Sequence, residues 1–582
     1  MEEETLLRRI RANRGALEYD QIYHNARVVD VFTERIRLMD VAILDGCFCA
    51  LNPGHQHAKE HVDCKGQYMA PGLLDGHMHI ETSHLNPMAW AQATLPHGTT
   101  GIFFDAMMSA SVYGTEFLTV LKSLLQKVPT RVFYQIPSRI PAKAELETMG
   151  GILGPDEIRK LLEDPQTVSL GEVNYLSVLQ EEPNILAKIL SARNQNRLIN
   201  GHCPEIAPED INTVAAVGIT DDHESTTFQE LAEKLSRGLT VMIREGSIEP
   251  NVEALIKGVV KYQLPTDNLL FCTDDKYPPD LLEKGHIDYA VNKAIACGLA
   301  PIKALKMATF NTARYYGLTQ DLGSVAPGRK ADFILFDSLE QIVPNQVYIG
   351  GNLAAEHGQA IGLPDSAESY ADHTIHLSRS FSPADLALSS DASEVNCLVM
   401  EVQENNLCPK AIAWHLPVQD GLVMPDLAND VLPIAVICRY GQNNTIGKGF
   451  IRGLKLNHCA IASSLASEGN NIAVCGTNYQ DMARAIQEVA KIDGGMVIVK
   501  NNQLIAANPM PIGGIMYACS ANEAVKRSRM MEKMLSHLGC QNPSAFTYLC
   551  VAPAPSIPDL GLTDQGLIDV RSQKIISPIL EK

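Results

Sequence analysis

A single residue separates His77 from His79 at the end of a short apolar run, a spacing that suits two ligands of one metal ion. Alternate side chains of a β-strand point to the same side, so both imidazoles would face the same space. Imidazole is a common ligand of zinc, iron and manganese. A chain with 17 histidines can contain such a pair by chance, so the interpretation depends on what the other apolar runs carry.

Potential ligands recur at the ends of later apolar runs. They are Glu172 after 168–171, His202 after 198–201, His223 after 219–222 and Asp274 after 269–273. Stretches with helical spacing, such as 228–235, lie between the runs, and this alternation is typical of βα units in a parallel sheet. Eight such units predict an α/β protein with a TIM-like (β/α)8 barrel, whose chemistry sits at the C-terminal ends of the strands.

Residues at these strand ends would meet at one mouth of the barrel, where they could hold a pair of divalent ions. We predict that His77, His79 and Asp274 hold one ion, and that His202 and His223 hold a second. Such an ion lowers the pKa of bound water to about 7, which is what hydrolysis of an unreactive C–N bond requires. The sequence therefore predicts a metal-dependent hydrolase.

Two of the acids have predicted roles beyond simple ligation. Glu172 would bridge the two ions, and Asp274 would take a proton from the attacking water and pass it to the leaving group. Taken singly, each of these residues has a structural alternative, because a strand-end acid often caps the next helix and a buried histidine often serves packing. The ordered set favours the metal site.

The motifs around these residues carry a family resemblance over nearly the full length. In the barrel they occupy 69–83, 95–100, 171–173, 221–227 and 242–247. In the last part of the chain they occupy 453–456, 462–464, 474–478, 509–514 and 562–570. The chain resembles the adenine deaminase family of the amidohydrolase superfamily.

The resemblance implies hydrolytic deamination of adenine to hypoxanthine and ammonia by a metal-activated hydroxide in a binuclear site. It implies two divalent ions per chain, manganese or iron first and zinc as an alternative. We also expect a homo-oligomer. Glu172 stands where the wider superfamily often has a carbamylated lysine. With Glu172 and Asp274, Glu224 is expected to be catalytic, as a proton relay. Asp275, Asp105 and Glu245 are expected to bind substrate.

Two stretches depart from the family pattern. Residues 105–108 read Asp-Ala-Met-Met where the family usually has Asp-Pro-His-Glu, and 466–471 contain no histidine where it has His-Asp-Ser-His-Asn. Lost polar groups in a pocket change discrimination between substrates. Two alternatives therefore stay open: a metal-dependent deaminase or amidohydrolase acting on another aminopurine or cyclic amide, and a catalytically silent purine-binding relative.

Composition excludes several other classes of protein. The chain has 48 basic and 67 acidic residues, a net charge of −19, and no long basic tract, so nucleic acid and anionic membranes are not expected partners. Its 14 cysteines include no Cys-x-x-Cys pair, which excludes the zinc cytidine deaminase signature and fits a reducing compartment. No signal peptide or apolar run of about 18 residues is present, and we expect a cytoplasmic enzyme.

A chain of 582 residues is too long for one core. We predict the N-terminal part of a β-sandwich over 1–70, the barrel over 71–322 and the C-terminal part of the sandwich over 323–364. A connector over 365–395 and an adenine-deaminase-type α/β domain over 396–582 complete the prediction.

Overall fold

The computed structural model describes residues 3–141, 143–364, 372–403, 406–557 and 559–580. The first elements are a helix and five strands: α1 (Glu3–Asn13), β1 (Tyr19–Asp30), β2 (Arg35–Leu44), β3 (Cys47–Leu51), β4 (Ala58–Asp63) and β5 (Tyr68–Pro71). β1 pairs antiparallel with β2 and parallel with both β4 and β5. Asp45 and Gly46, which join β2 to β3, have φ of 51° and 69°, as a two-residue hairpin turn requires.

Eight parallel strands then follow one another: β6 (Leu73–Met78), β7 (Thr99–Asp105), β8 (Arg131–Pro137), β9 (Thr167–Asn174), β10 (Leu198–His202), β11 (Asp221–Asp222), β12 (Thr240–Arg244) and β13 (Leu269–Cys272). β6 to β10 form one hydrogen-bonded run and β11 to β13 another. A parallel bridge between Met78 and Asp274 joins the first strand to the last. The Thr220 N–H donates to Ile199 O at 3.0 Å where β10 meets β11. The predicted α/β barrel fold is confirmed.

Helices lie between the barrel strands and after the last of them: α2 (Pro87–Thr94), α3 (Met107–Tyr113), α4 (Phe117–Leu125), α5 (Pro155–Leu161), α6 (Tyr175–Leu179), α7 (Pro183–Asn194), α8 (Pro208–Val217), α9 (Phe228–Ser236), α10 (Val252–Tyr262), α11 (Pro278–Glu283), α12 (Ile287–Ala296), α13 (Pro301–Lys306) and α14 (Thr312–Tyr315). Several begin with proline, whose missing N–H costs nothing at a first helical position. A capping box of Thr227 and Glu230 starts α9. Every residue of β6, β7 and β13 is buried, as expected of strands covered on both faces.

A buried ion pair fixes α9 to the barrel and gives a test of the fold. Lys234 Nζ lies 2.6 Å from Asp222 Oδ2, and both side chains are almost fully buried. Replacing Lys234 by methionine leaves a buried carboxylate without its partner, and we expect a loss of about 3–5 kcal/mol in the free energy of unfolding. Urea unfolding monitored by circular dichroism measures this loss. Lys257→Met, at an exposed ion pair on α10, should leave the unfolding midpoint unchanged.

After the barrel the chain returns to the first sheet with β14 (Phe333–Phe336), β15 (Gln346–Ile349), β16 (Asn352–Glu356) and β17 (Gln359–Ala360). β14 pairs antiparallel with β5, which makes one nine-stranded sheet from the two segments. The ring of Tyr23 on β1 lies 5.1 Å from that of Phe333 and 5.5 Å from that of Tyr348. The sheet therefore curls around one apolar cluster, and the sandwich halves predicted from the sequence are hydrogen-bonded to each other.

The last part of the chain has a second nine-stranded mixed sheet and a small three-stranded one. Its elements are α15 (Pro383–Leu386), β18 (Glu394–Gln403), β19 (Asn406–Gln419), β20 (Leu422–Val423), β21 (Val431–Ile437), β22 (Ile446–Arg452), β23 (Ala460–Ser463), β24 (Ile472–Gly476), α16 (Tyr479–Lys491), β25 (Gly495–Lys500), β26 (Gln503–Pro509), α17 (Ala521–His537), α18 (Ala545–Val551), β27 (Leu560–Thr563), β28 (Gly566–Asp569) and β29 (Lys574–Ile576). Residues 365–371 of the predicted connector lie outside the described residues. Within the described ranges, no helix has the length and apolar character needed to cross a membrane.

This last part packs against the C-terminal side of the barrel. Asn86 Nδ2, at the start of α2, donates to Tyr517 O at 2.9 Å. Asn470 Nδ2 donates to Ser111 Oγ at 2.7 Å, and the Thr148 N–H donates to Asp564 Oδ1 at 2.9 Å. These contacts place the last part of the chain over the mouth to which the strand ends point.

Candidate metal centre

The strand ends bring all six predicted ligands together. Their donor atoms form overlapping groups in which the atoms lie within 4.8 Å of one another: His77, His79, Glu172 and Asp274; Glu172, His202 and His223; and His223, Glu224 and Asp274. All of these side chains are buried except that of His202, which is partly exposed. The (β/α)8 barrel is the reason for this convergence, because the ligands come from five different strand ends.

Glu172 stands at the centre of the cluster. Its Oε1 lies 3.1 Å from His77 Nε2, 3.2 Å from His79 Nε2 and 3.5 Å from His223 Nε2. The residue has φ of 37°, a conformation that is rare for a side chain other than glycine, and it follows Gly171. A Cβ on Gly171 would lie 2.0 Å from Asp105 Oδ2, so only glycine fits there. The strand end is thus shaped to aim Glu172 at the histidines.

The first two histidines are held by their other ring nitrogens. His77 Nδ1 lies 2.6 Å from Gln135 Oε1, and His79 Nδ1 lies 2.7 Å from the backbone oxygen of Asp105. Both partners are acceptors here, so each Nδ1 carries the proton and each Nε2 keeps its lone pair toward the cluster. Such outer hydrogen bonds orient a ligating imidazole and raise its basicity.

Gln135 gives a prediction at this outer position. Its Nε2 donates to Tyr316 OH at 2.6 Å, which fixes the amide with its oxygen toward His77. Gln135→Leu is expected to lower metal affinity or turnover by about 10–100-fold, because His77 loses the group that sets its tautomer. Metal titration followed by an activity assay measures both quantities. Gln195→Leu, remote from the cluster, is the control, and equal behaviour of the two variants would contradict this role.

Two arginines that the sequence did not assign enter the cluster. Arg139 forms ion pairs with Glu172 and with Glu468, the latter at 3.1 Å between Nη1 and Oε1. Arg244 Nη1 lies 2.8 Å from Asp274 Oδ2 and 3.2 Å from Glu224 Oε1. In the sequence, only their position at or just after a strand end could have indicated that these arginines belong to the site.

The charges in the cluster oppose the effect of burial on its acids. Burial favours the neutral form of Glu172, but Arg139 and the histidines hold its pKa well below the usual value. In the same way burial is outweighed at Asp274, mainly by Arg244, and its pKa is lowered. Burial is also outweighed at Glu224, mainly by His202, and its pKa is lowered to about 2. The three acids are therefore carboxylates at neutral pH.

The residues predicted to bind substrate have different surroundings. Asp275 Oδ1 accepts a hydrogen bond from Arg244 Nη2 at 2.5 Å, beside the cluster. Asp105 is buried with both carboxyl oxygens unpartnered among the described residues, and burial together with Glu172 raises its pKa well above the usual value. Glu245 is not brought to the cluster, because Oε1 pairs with Lys293 at 2.7 Å and Oε2 accepts from the Val252 N–H at 3.2 Å. Glu245 thus has the contacts of a structural residue.

The donor set fits a divalent transition metal. His202 Nδ1 and His223 Nε2 are buried, and neither has a hydrogen-bond partner among the described residues. They lie 3.5 and 3.0 Å from Glu224 Oε1, but without the geometry of a hydrogen bond. Unpartnered imidazole nitrogens beside carboxylates are the nitrogen and oxygen ligands that zinc, iron and manganese bind.

A cavity of about 190 Å³ lies at the barrel mouth, between the barrel and the last part of the chain. Barrel residues on its wall include His84, Met108 and Tyr277, and the opposite wall includes Ala466 and Phe546. Met108 and Ala466 belong to the two stretches that depart from the family pattern. The cavity is therefore shaped where this sequence is unusual.

An eight-stranded barrel with histidines and carboxylates converging at its C-terminal edge defines a metal-dependent hydrolase of the amidohydrolase kind. The amidohydrolase family model matches residues 68–354, and the model of the adenine deaminase C-terminal domain matches 406–574. The adenine deaminase of Desulforamulus reducens is 39% identical over 580 residues, covering 99% of either chain.

Two other relatives agree over the same length. The adenine deaminase of Kosmotoga olearia is 34% identical over 571 residues, 98% of each chain. That of Lysinibacillus sphaericus is 36% identical over 575 residues, 97% of each chain. This chain belongs to the adenine deaminase family, and the resemblance drawn from its motifs is confirmed.

Proposed function

We propose that this protein deaminates adenine hydrolytically to hypoxanthine and ammonia. The observation that carries the proposal is the convergence of six histidine and carboxylate ligands with Glu224 at the barrel mouth. Family membership along the full chain supports adenine as the substrate.

The residues divide into two proposed metal positions. His77, His79 and Asp274 form one, and His202 and His223 form the other, with Glu172 between them. We propose two ions per chain, manganese or iron before zinc. When bound, such ions lower the pKa of water and supply the nucleophile at neutral pH.

Asp274 and Glu224 are the proposed proton carriers. Asp274 is kept ionised by Arg244 at 2.8 Å, so its carboxylate can accept the proton of the attacking water and return it to the leaving amine. Glu224 Oε1 lies 3.2 Å from the same guanidinium and would exchange a proton with a ring nitrogen of the purine. The two acids thus serve different atoms of one substrate.

The cavity at the barrel mouth is the proposed binding pocket for the base. His84 lies on its wall, and burial lowers the pKa of this imidazole to about 4. It is therefore neutral at pH 7, with one ring nitrogen donating and the other accepting, which suits an uncharged heterocycle. Tyr277 and Phe546 supply aromatic surface for the ring.

A second candidate function is deamination of a different aminopurine. Met108 puts an apolar side chain on the cavity where the family usually has an acid. A site that lacks that group loses discrimination against purines that cannot pair with it. The retained ligands and acids argue against the third alternative, a catalytically silent relative.

Metal removal and reloading test both functions. Protein stripped with a chelator should lose turnover and regain it with Mn²⁺ or Fe²⁺, and metal analysis should give two ions per chain. Loss of adenine absorbance with equimolar hypoxanthine and ammonia supports the first candidate. Ammonia released only from another aminopurine supports the second, and no release from any purine by the two-ion protein rejects both.

We also propose a cytoplasmic homo-oligomer. The thirteen cysteines whose side chains the structure describes are free, which supports a reducing compartment. Light scattering of the purified protein decides the oligomeric state.

A further inference from the structure

Two buried cysteines meet far from the metal centre. Cys459, just before β23, and Cys540, just after α17, have their Sγ atoms 3.7 Å apart although 81 positions separate them in the chain. Among the described residues no other two sulfur atoms are in such contact. Neither thiol has a part in the proposed deamination.

Hydrogen bonds from backbone and side-chain groups hold the two segments together. The Asn457 N–H points to Cys540 Sγ at 3.4 Å, and Asn457 Nδ2 donates to Leu538 O at 2.9 Å. The Gln541 N–H donates to Lys455 O at 3.2 Å. These bonds hold residues 455–457 against residues 538–541, which keeps the two thiols next to each other.

We propose that Cys459 and Cys540 are a reversible modification site that closes to a disulfide by exchange with a low-molecular-weight disulfide. The sulfurs need to approach by about 1.7 Å to reach the S–S bond length of about 2.05 Å. The inference does not depend on the proposed deaminase activity.

Cys540 is the thiol that reacts first. Its hydrogen bond with Cys459 lowers the pKa of Cys540 to about 7, and the same contact raises the pKa of Cys459. Cys540 is also the more accessible of the two, 8% exposed against 0% for Cys459. A thiolate near neutral pH at the outer position is the nucleophile that exchange requires.

The exchange proceeds in two balanced steps. The Cys540 thiolate attacks one sulfur of the small disulfide, which forms a mixed disulfide and releases one small thiolate. Cys459 then loses its proton to that thiolate or to water and attacks Cys540 Sγ, which releases the second small thiol. Two protein thiols are oxidised, and one small disulfide is reduced to two thiols.

The bond would fasten a segment that covers the cavity. Cys540 lies in the link between α17 and α18, and Met531 of α17 and Phe546 of α18 line the cavity wall. Tying this link to β23 restricts the movement of both helices. Disulfides in reducing compartments are usually transient and regulatory, which is the behaviour a reversible fastening needs.

The test exposes the folded, reduced protein to oxidised glutathione and alkylates the remaining thiols in denaturant. We expect the count to fall by two from the chain's fourteen thiols, with fragment ions placing the new bond between Cys459 and Cys540. Dithiothreitol should restore both thiols. Hydrogen exchange in the α17–α18 link should be slower in the oxidised form and return on reduction.

Variants separate this bond from other oxidation. Cys459→Ser should stop at a glutathione adduct on Cys540, and Cys540→Ser should keep Cys459 reduced. Cys475→Ser, at a neighbouring buried thiol, should form the bond as the wild type does. A bond to Cys475 or Cys550, a lasting adduct in the wild type, or an unchanged thiol count would each overturn the proposal. If a variant does not fold, the peptide map of the oxidised wild-type protein is sufficient to test the proposal.

Discussion

Glu172→Gln is expected to lower the turnover of adenine by about 10³-fold or more while the chain stays folded. Three imidazole nitrogens lie within 3.5 Å of the same Glu172 oxygen, so a neutral amide removes the negative charge from the centre of the cluster. The proposed bridge between two ions depends on that charge. The metal content should fall below two ions per chain together with the rate.

We expect the Glu172→Gln variant to fold, because the buried arginine that pairs with Glu172 keeps a second carboxylate partner. Arg139, which pairs with Glu172, also pairs with Glu468 and is not left as an isolated charge. Circular dichroism and thermal unfolding check this point. Glu253→Gln, at an exposed carboxylate on α10, is the matched control and should match the wild type. Full turnover with two bound ions in Glu172→Gln would remove the site assignment.

The predictable part of the site follows from two periodicities. Side chains alternate along a strand and active sites lie at the C-terminal ends of barrel strands, so His77, His79 and Asp274 could be grouped before any coordinates. The sequence also predicted helices between the strands: the helical spacing over 228–235 corresponds to α9. Grouping these three residues required only the local sequence pattern and the topology of the barrel.

The residues that escaped prediction act through long-range side-chain contacts. Arg139 meets Glu468 across 329 positions, and Gln135 meets His77 across 58. The spacing of residues along the chain does not predict contacts between side chains so far apart in sequence. The acids after strands show the same limit, because Glu224 enters the cluster whereas Glu245 pairs with Lys293, and the two look alike in sequence.

Strand lengths and sheet connectivity were also only partly readable. The run at 219–222 suggested a four-residue strand, but β11 contains only the two residues Asp221–Asp222. The flanking segments were expected as two parts of a sandwich, and their pairing through β5 and β14 into a single sheet depends on register across the whole barrel. Both features are set by tertiary hydrogen bonds.

Asp274→Asn is expected to lower kcat by about 10²–10⁴-fold, with KM changed far less. The backbone of Asp274 has φ of 58°, a region that asparagine adopts more readily than most residues. Its N–H donates to His77 O and its carbonyl accepts from the His79 N–H, both at 3.0 Å, and the substitution keeps these bonds. The change therefore replaces a carboxylate that we assign both to an ion and to proton transfer, and it leaves the local backbone structure in place.

A matching substitution at the neighbouring Asp275 is the control for the Asp274→Asn result. Asp275 contacts Arg244 and is proposed to bind the base, so Asp275→Asn should raise KM with a smaller effect on kcat. Steady-state kinetics of the two variants, with metal content measured on the same samples, separate a proton carrier from a binding group. A kcat near the wild-type value in Asp274→Asn, with both ions bound, would assign the proton transfer to another residue, and Glu224 would be the next to replace.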